Sequence, residues 1–356
     1  MPRVRIVHTT EYTYRRPVKL TEHRLMMRPR DSHDLRLLEA TLGIMPPGAS
    51  TRWAHDAFNN SVCLLDWQHV STHKLRIVSR LDLQHYPVAT ELPLDPAAEI
   101  YPFRYAGNEY PDLSRLIEPH YPDPDRRVEA WARRFLRREG NTPTWELLIG
   151  MTKAIKAEFT YEGREAKGTY GPLQTLAEKR GACRDFAVLM MEAARSLGFA
   201  ARFVSGYLYD EALVDSVDTM VGGGATHAWC SIYLPGAGWV EFDPTNGLVA
   251  GRNLIRVCTA REPYQATPLS GGYIGEPEDF VSMTVNVEVT VGEPRPAIEK
   301  RPAVSPASVE QEARVPAAPA DAPIAAETEK ASSAAARASE FAMEERSFGS
   351  LDLTTP

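Results

Sequence analysis

Residues 180–198 read RGACRDFAVLMMEAARSLG, and the fold turns on how this stretch is read. The dense apolar run predicts a helix from about Gly181 to Leu197, with Gly198 as its C-terminal stop. Cys183 then falls in the first turn. A helix N-terminus carries partial positive charge, which stabilises a thiolate. The Cys183 N–H has no intrahelical partner, so it can donate to an oxyanion. Gly181 removes side-chain bulk where a substrate carbonyl has to approach. The same residues also fit a plain buried helix, because most free cysteines are small core residues.

Downstream the apolar period changes from helical to two. Ala200 to Tyr209, Thr226 to Leu234 and Trp239 to Asp243 read as strands, with Pro235-Gly236-Ala237-Gly238 turning between the last two. Alternation puts His227, Trp229 and Ser231 on one face and Ala228, Cys230 and Ile232 on the other. Trp239, Glu241 and Asp243 share a face of the next strand. If the two strands pair, Asp243 approaches the His227 ring and can fix its tautomer. Taken singly, His227 also fits a structural histidine, and Asp243-Pro244 also fits a turn. A helix-borne thiol, a strand-borne imidazole and a carboxylate on the next strand have the logic of a catalytic triad. Helices before strands predict an α+β domain rather than βαβ units.

RGACRDFAVLMMEAARSLGFAARFVSGYL, then THAW, then GWVEFDPTNG, resembles the transglutaminase-like core found in many bacterial proteins. HTTEYTYRRPV and DAFNNSV resemble the β domain that often precedes it. The resemblance covers roughly residues 3–292. It implies a papain-like core, with the nucleophile helix packed on an antiparallel sheet. It also implies Cys183 as nucleophile, His227 as base and Asp243 as orienting acid, with a peptide or protein amide as substrate. Asp185 belongs to the matched motif and reads as structural first. Tyr161 and Tyr170 precede the nucleophile helix, and neither is assigned as the second oxyanion donor. The expected chemistry is cysteine-dependent acyl transfer through a thioester, with hydrolysis favoured. The alternatives are an amine acceptor, as in a protein-glutamine transglutaminase, or a non-catalytic scaffold. A metal site of Cys183, His227 and Asp243 is a third reading, disfavoured because no further cysteine or histidine lies nearby in sequence. No cofactor is expected. No D-x-D-x-D-G loop occurs, so no calcium requirement is expected either.

Upstream, Leu75, Ile77, Leu81 and Leu83 alternate with Lys74, Arg76, Arg80 and Asp82, and Leu38 to Ile44 alternates likewise. These predict a small all-β domain over residues 1–98, with Asn59-Asn60 at a turn. Proline and tyrosine crowd a linker over 99–124. The core follows over 125–292, opening with an amphipathic helix of Val128, Trp131, Ala132, Phe135 and Leu136 that Gly140 ends. A second helix is expected through Trp145, Leu148, Ile155 and Phe159. Val281 to Val291 alternates most cleanly of all and is expected to add a strand to that core. Residues 293–356 are rich in Ala, Pro, Glu and Ser and are expected to be a disordered tail, whose end FAMEERSFGSLDL is a possible docking peptide.

The net charge of −7, from 40 basic and 47 acidic residues, argues against a nucleic-acid binder. No run approaches the length of a membrane span, and MPRVRIVHTTEYTY has no signal-type apolar centre, so no membrane association and a cytoplasmic location are expected. Four scattered cysteines form neither a zinc ribbon nor a disulfide framework.

Overall fold

The computed structural model describes residues 2–86, 92–164, 168–209, 225–249 and 253–292. The expected tail, 293–356, lies outside the described residues. The N-terminal strands are β1 (Arg3–Leu20), β2 (His23–Leu25), β3 (Leu35–Met45), β4 (Ser50–His55), β5 (Ser61–Asp66) and β6 (Ser71–His85). Then come β7 (Ile100–Tyr101), α1 (Tyr110–Ile117), α2 (Arg127–Arg133), β8 (Thr142–Pro143), α3 (Thr144–Glu158), β9 (Thr160–Tyr161), α4 (Pro172–Glu178) and β10 (Arg180–Gly181). The nucleophile helix α5 (Cys183–Ser196) follows. After it run β11 (Ala201–Leu208), β12 (His227–Leu234), β13 (Gly238–Asp243), β14 (Leu248–Val249) and β15 (Leu254–Ala260). The described residues end with β16 (Leu269–Ser270), β17 (Tyr273–Ile274) and β18 (Phe280–Gly292).

Three sheets carry the architecture. The first has the order β17-β1-β6-β3, with β18 also paired to β1; the second is β16-β2-β5-β4; the third is β14-β13-β12-β11-β15. All pairs in these sheets are antiparallel. The alternation read along β6 sets the first sheet. Leu75 and Ile77 pack with Tyr14, Leu25, Cys63 and Leu65 of the first two sheets. Further along the same strand, Leu81 and Leu83 pack with Tyr207, Ile255 and Val257 of the third sheet. One apolar face is thus shared between two partners.

Helix α5 is buried along nearly its whole length, from Phe186 to Arg195. It sits among α2, α3 and the third sheet, against Ala201, Phe203, Cys230 and Ile232. Gly198 stops it at φ +89°, where its N–H reaches the Arg195 carbonyl at 2.8 Å. Near that end the buried Arg195 guanidinium is fully occupied. It donates to Glu192 (2.7 Å), Glu262 (3.2 Å) and the carbonyls of Leu116, Ala201 and Arg261. A buried charge is tolerable only when its donors are met in this way.

Three expectations change. Residues 99–124 are not a plain linker: they hold β7 and the helix α1, with Leu113 buried. Pro111 masks that helix in the sequence, yet proline suits a first turn because its missing N–H is not needed there. The helix expected to run to Gly140 ends at Arg133. The strand expected to extend the core does form, as β18, but it pairs with β1 from Arg3↔Gly292 to Tyr14↔Phe280. Alternation specifies the two faces of a strand; it does not specify its neighbour.

Polar contacts join the N-terminal strands to the third sheet. His8 Nδ1 meets the Tyr207 hydroxyl at 3.0 Å, and His85 Nδ1 meets the Tyr209 hydroxyl at 2.8 Å. Burial pushes both imidazoles down to about 4, so they are neutral at pH 7. Asn60 behaves like an inserted strand residue: its side-chain amide donates to the Thr259 carbonyl at 2.7 Å and its oxygen accepts the Thr259 N–H at 2.9 Å. Asn60→Ala leaves both Thr259 groups buried and unpaired, which costs about 2–4 kcal/mol. Chemical denaturation should show an unfolding free energy lower by that amount, and an unchanged value would mean the N-terminal strands and the third sheet are held together without this bridge.

Candidate active site

Cys183 is the first residue of α5. Ala182 before it is extended, at φ −87° and ψ 172°. Asp185 shapes this helix start. Wholly buried, it accepts the Ala182 N–H at 2.8 Å, the Tyr170 N–H at 2.8 Å and the Arg164 guanidinium at 2.8 and 3.1 Å. Arg164 in turn lies over the Tyr170 ring at 3.6 Å. Arg184 holds the carbonyls of Gly168 at 2.7 Å and Arg164 at 3.0 Å. The nucleophile's neighbours are therefore engaged in fixing the segment that precedes it.

Gly181 has a different use from the one expected. A Cβ there would stand 2.9 Å from Asp185 Cβ and 3.3 Å from Phe186 Cε1. The space it leaves is filled by Asp185, not kept open for a substrate carbonyl. Across the short parallel pair, Tyr161 lies opposite Gly181. It is half-buried, and burial first, then the nearby Cys183, raises its phenol above the ordinary tyrosine value.

His227 opens β12, and its β11 partner is Gly206. Its ring is buried, and Nε2 meets Asp243 Oδ2 at 2.9 Å. The other nitrogen, Nδ1, has no hydrogen-bond partner among the described residues. Asp243 ends β13, and both of its oxygens are in use. Oδ1 accepts the N–H groups of Thr245 (3.0 Å) and Asn246 (3.3 Å), while Oδ2 also accepts the Asn246 side-chain amide at 2.8 Å. Asp243 thus both starts the turn and orients the histidine. Lys156 from α3 holds that turn through the Asn246 carbonyl at 2.9 Å.

The electrostatics follow from this packing. Burial works against a charged His227. The charge and hydrogen bond of Asp243, helped by the adjacent Cys183 thiol, outweigh it and push the ring up to about 10. Burial likewise opposes ionisation of Asp243, but His227 and the Asn246 donors hold its carboxyl below the ordinary value. At neutral pH the pair is an imidazolium and a carboxylate.

The structure brings Cys183, His227 and Asp243 together and keeps the other thiols apart. Cys230 is buried on the opposite side of β12, with its Sγ at 3.6 Å from the Phe242 carbonyl and its pKa pushed well up by burial. Burial also raises Cys63 to about 11 and Cys258 to about 12. Glu241, the other carboxylate on the Asp243 face, is spent on Arg256 at 2.7 Å, and Arg256 also reaches Asp34. Trp229, Tyr207 and Tyr209 are core residues, and Arg202 covers Trp239 at 4.0 Å. Among the described residues no group of three or more His, Cys, Asp or Glu could hold a metal ion. The sequence reading missed Asn246, Lys156, Arg164 and Gly206. Only Asn246 carries a local signal, since an asparagine three residues after an aspartate suits a turn that caps the carboxylate. The other three matter through partners distant in sequence.

Residues 4–84 match the bacterial transglutaminase-like N-terminal region, and residues 129–244 match the transglutaminase-like superfamily. An uncharacterized protein of Mycobacterium tuberculosis is 29% identical over 299 residues, which cover 81% of this chain and 92% of that protein. One from Mycobacterium leprae is 26% identical over 301 residues, covering 82% of this chain and 99% of its own. Among solved structures, a candidate cysteine protease from Cytophaga hutchinsonii superposes with a TM-score of 0.59 at 18% identity, over 83% of this chain and 92% of that one. At that identity the likeness bears on the fold alone. The chain belongs to the transglutaminase-like superfamily, with the bacterial N-terminal region followed by the superfamily core.

Proposed function

We propose that this protein is a cysteine-dependent acyl-transfer enzyme acting on amide bonds, with water as the usual acceptor. The observation that carries the reading is the buried His227–Asp243 pair, whose free Nδ1 lies beside a thiol at the start of a helix. Cys183 attacks the amide carbon as a thiolate, its proton already resting on the His227 imidazolium. The oxyanion takes the Cys183 backbone N–H, which the helix leaves unused. As the C–N bond breaks, His227 gives its proton to the departing amine, leaving a thioester. His227 then takes a proton from water, which attacks the thioester; the C–S bond breaks, releasing the acid and restoring the thiolate beside the imidazolium. A primary amine in place of water would give a new amide by the same steps. Asp243 keeps Nε2 engaged, so Nδ1 is the nitrogen that exchanges protons with sulfur.

Cys183→Ala should lower hydrolysis of a casein peptide digest by at least about a thousandfold, with the thermal midpoint nearly unchanged. Mass spectrometry of the same digest with and without a primary amine separates hydrolysis from transamidation. Turnover retained in the variant would remove Cys183 from the chemistry.

Iodoacetamide at neutral pH should label Cys183 first. It is 9% exposed, against 1% for Cys63, 0% for Cys230 and 2% for Cys258. Equal labelling of all four in folded protein would contradict an accessible, activated thiol.

The charge state of His227 gives a test independent of substrate. A ring whose pKa rises from 6.5 to about 10 on folding adds stability in full below pH 6.5, and that contribution is lost as pH rises through 10. Nitrogen-detected NMR should therefore show His227 charged from pH 6 to 8. In Asp243→Asn the largest effect opposing burial is gone and only Cys183 still favours the charged ring, so the His227 titration should fall well below its wild-type position and activity should fall by about 10- to 1,000-fold. Glu241→Gln, which weakens only the Arg256 bridge, should leave the titration in place. If Glu241→Gln moved the His227 titration and Asp243→Asn did not, the orienting carboxylate would be misassigned.

A further inference from the structure

The His227–Asp243 pair has a cover that the reaction steps do not use. Trp229 lies two residues along β12, on the His227 face. Its indole is stacked on the imidazole, with 5.8 Å between ring centroids and 28° between planes. It is fully buried, and Val204, Leu208 and Leu254 pack around it. The room for it comes from Gly206, the β11 partner of His227. A Cβ at Gly206 would stand 2.8 Å from Trp229 Cη2 and 2.0 Å from the Ile255 carbonyl oxygen. The buried indole N–H has no hydrogen-bond partner among the described residues. Buried tryptophans usually find one, so the position keeps the ring despite its polar atom. What the ring offers is a flat apolar surface laid on a charged imidazole.

We propose that Trp229 is a positioning residue that keeps water off the His227–Asp243 hydrogen bond and holds the imidazole with Nδ1 turned toward Cys183. Three physical effects act together. Excluding water lowers the local dielectric and strengthens the ion pair. The face of an indole attracts a cation lying over it. A rigid plane against the imidazole also stops rotation about the side-chain bonds, which would exchange the two nitrogens. The inference rests on the triad reading above, but its central test needs no substrate.

The test follows the Nε2 proton and the ring titration of His227 by NMR in the full-length protein. Wild type should show a slowly exchanging Nε2 proton. Trp229→Phe, which keeps a flat ring, should retain it, with the titration within about half a pH unit of wild type. Trp229→Leu, apolar but not flat, should exchange that proton at least about tenfold faster. Its titration should fall toward 6.5, because water weakens both the burial penalty and the stronger pull of Asp243. Trp229→Met replaces the leucine variant if the latter does not fold. In turnover assays the leucine or methionine variant should lose kcat with KM nearly unchanged. Wild-type exchange as fast as that of an exposed imidazole would overturn the proposal. So would a folded leucine or methionine variant with wild-type exchange and titration. A wild type that turns over no amide but shows these NMR differences would sink the proposed function and leave the role of Trp229 standing.

Discussion

An imidazolium and a carboxylate, both fully buried, 2.9 Å apart, impose the tightest demand in this molecule. Taking two charges out of water costs several kcal/mol per ion, and their attraction offsets this only when the remaining lone pairs and protons are also met. Asp243 meets the condition with the backbone of its own turn and the Asn246 amide. The turn is held by Lys156, and the imidazole is covered by an indole that fits because residue 206 has no side chain. Much of the local design follows from keeping this pair satisfied. One nitrogen of His227 is left without a partner, and it is the one a thiol can use.

The helix start obeys a parallel logic with a different carboxylate. Asp185 lies within the first turn of α5, where the helix dipole favours negative charge. Its charge is met at once by Arg164 and by two backbone N–H groups. It therefore acts as an anchor and Asp243 as an orienter, although both lie close to the same thiol. Their partners explain the division: Asp185 faces backbone donors and an arginine, whereas Asp243 faces an imidazole.

The N-terminal strands contribute more than a neighbouring domain would. The inner face of β1 and β6 packs partly on the second sheet and partly on the outside of the third. Neutral histidines and Asn60 add hydrogen bonds to β11 and β15, and β11 is the strand that aligns His227. The last described strand, β18, returns to pair with β1, so the first and last described strands lie side by side in the first sheet.

Much of this was legible in the residues themselves. Period-two patterns marked β3, β6, β11, β12, β13 and β18, because strand faces are written in alternate positions. A dense apolar run with a glycine stop marked α5. Alternation also put Cys230 on the face away from His227, which left Cys183 as the candidate thiol. Order and residue type nominated Cys183, His227 and Asp243. Sequence did not say that β18 belongs with β1, that α1 lies within a proline-rich stretch, or that Gly181 makes room for Asp185. Nor did it reveal Lys156, Arg164 and Gly206, which act on partners 90, 21 and 23 residues away. Local pattern determined which faces are apolar and which side chains can do chemistry, since both are properties of neighbouring residues. Tertiary structure alone decided which strand lies beside which and which charge meets which, because burial and pairing arise only when distant segments pack together.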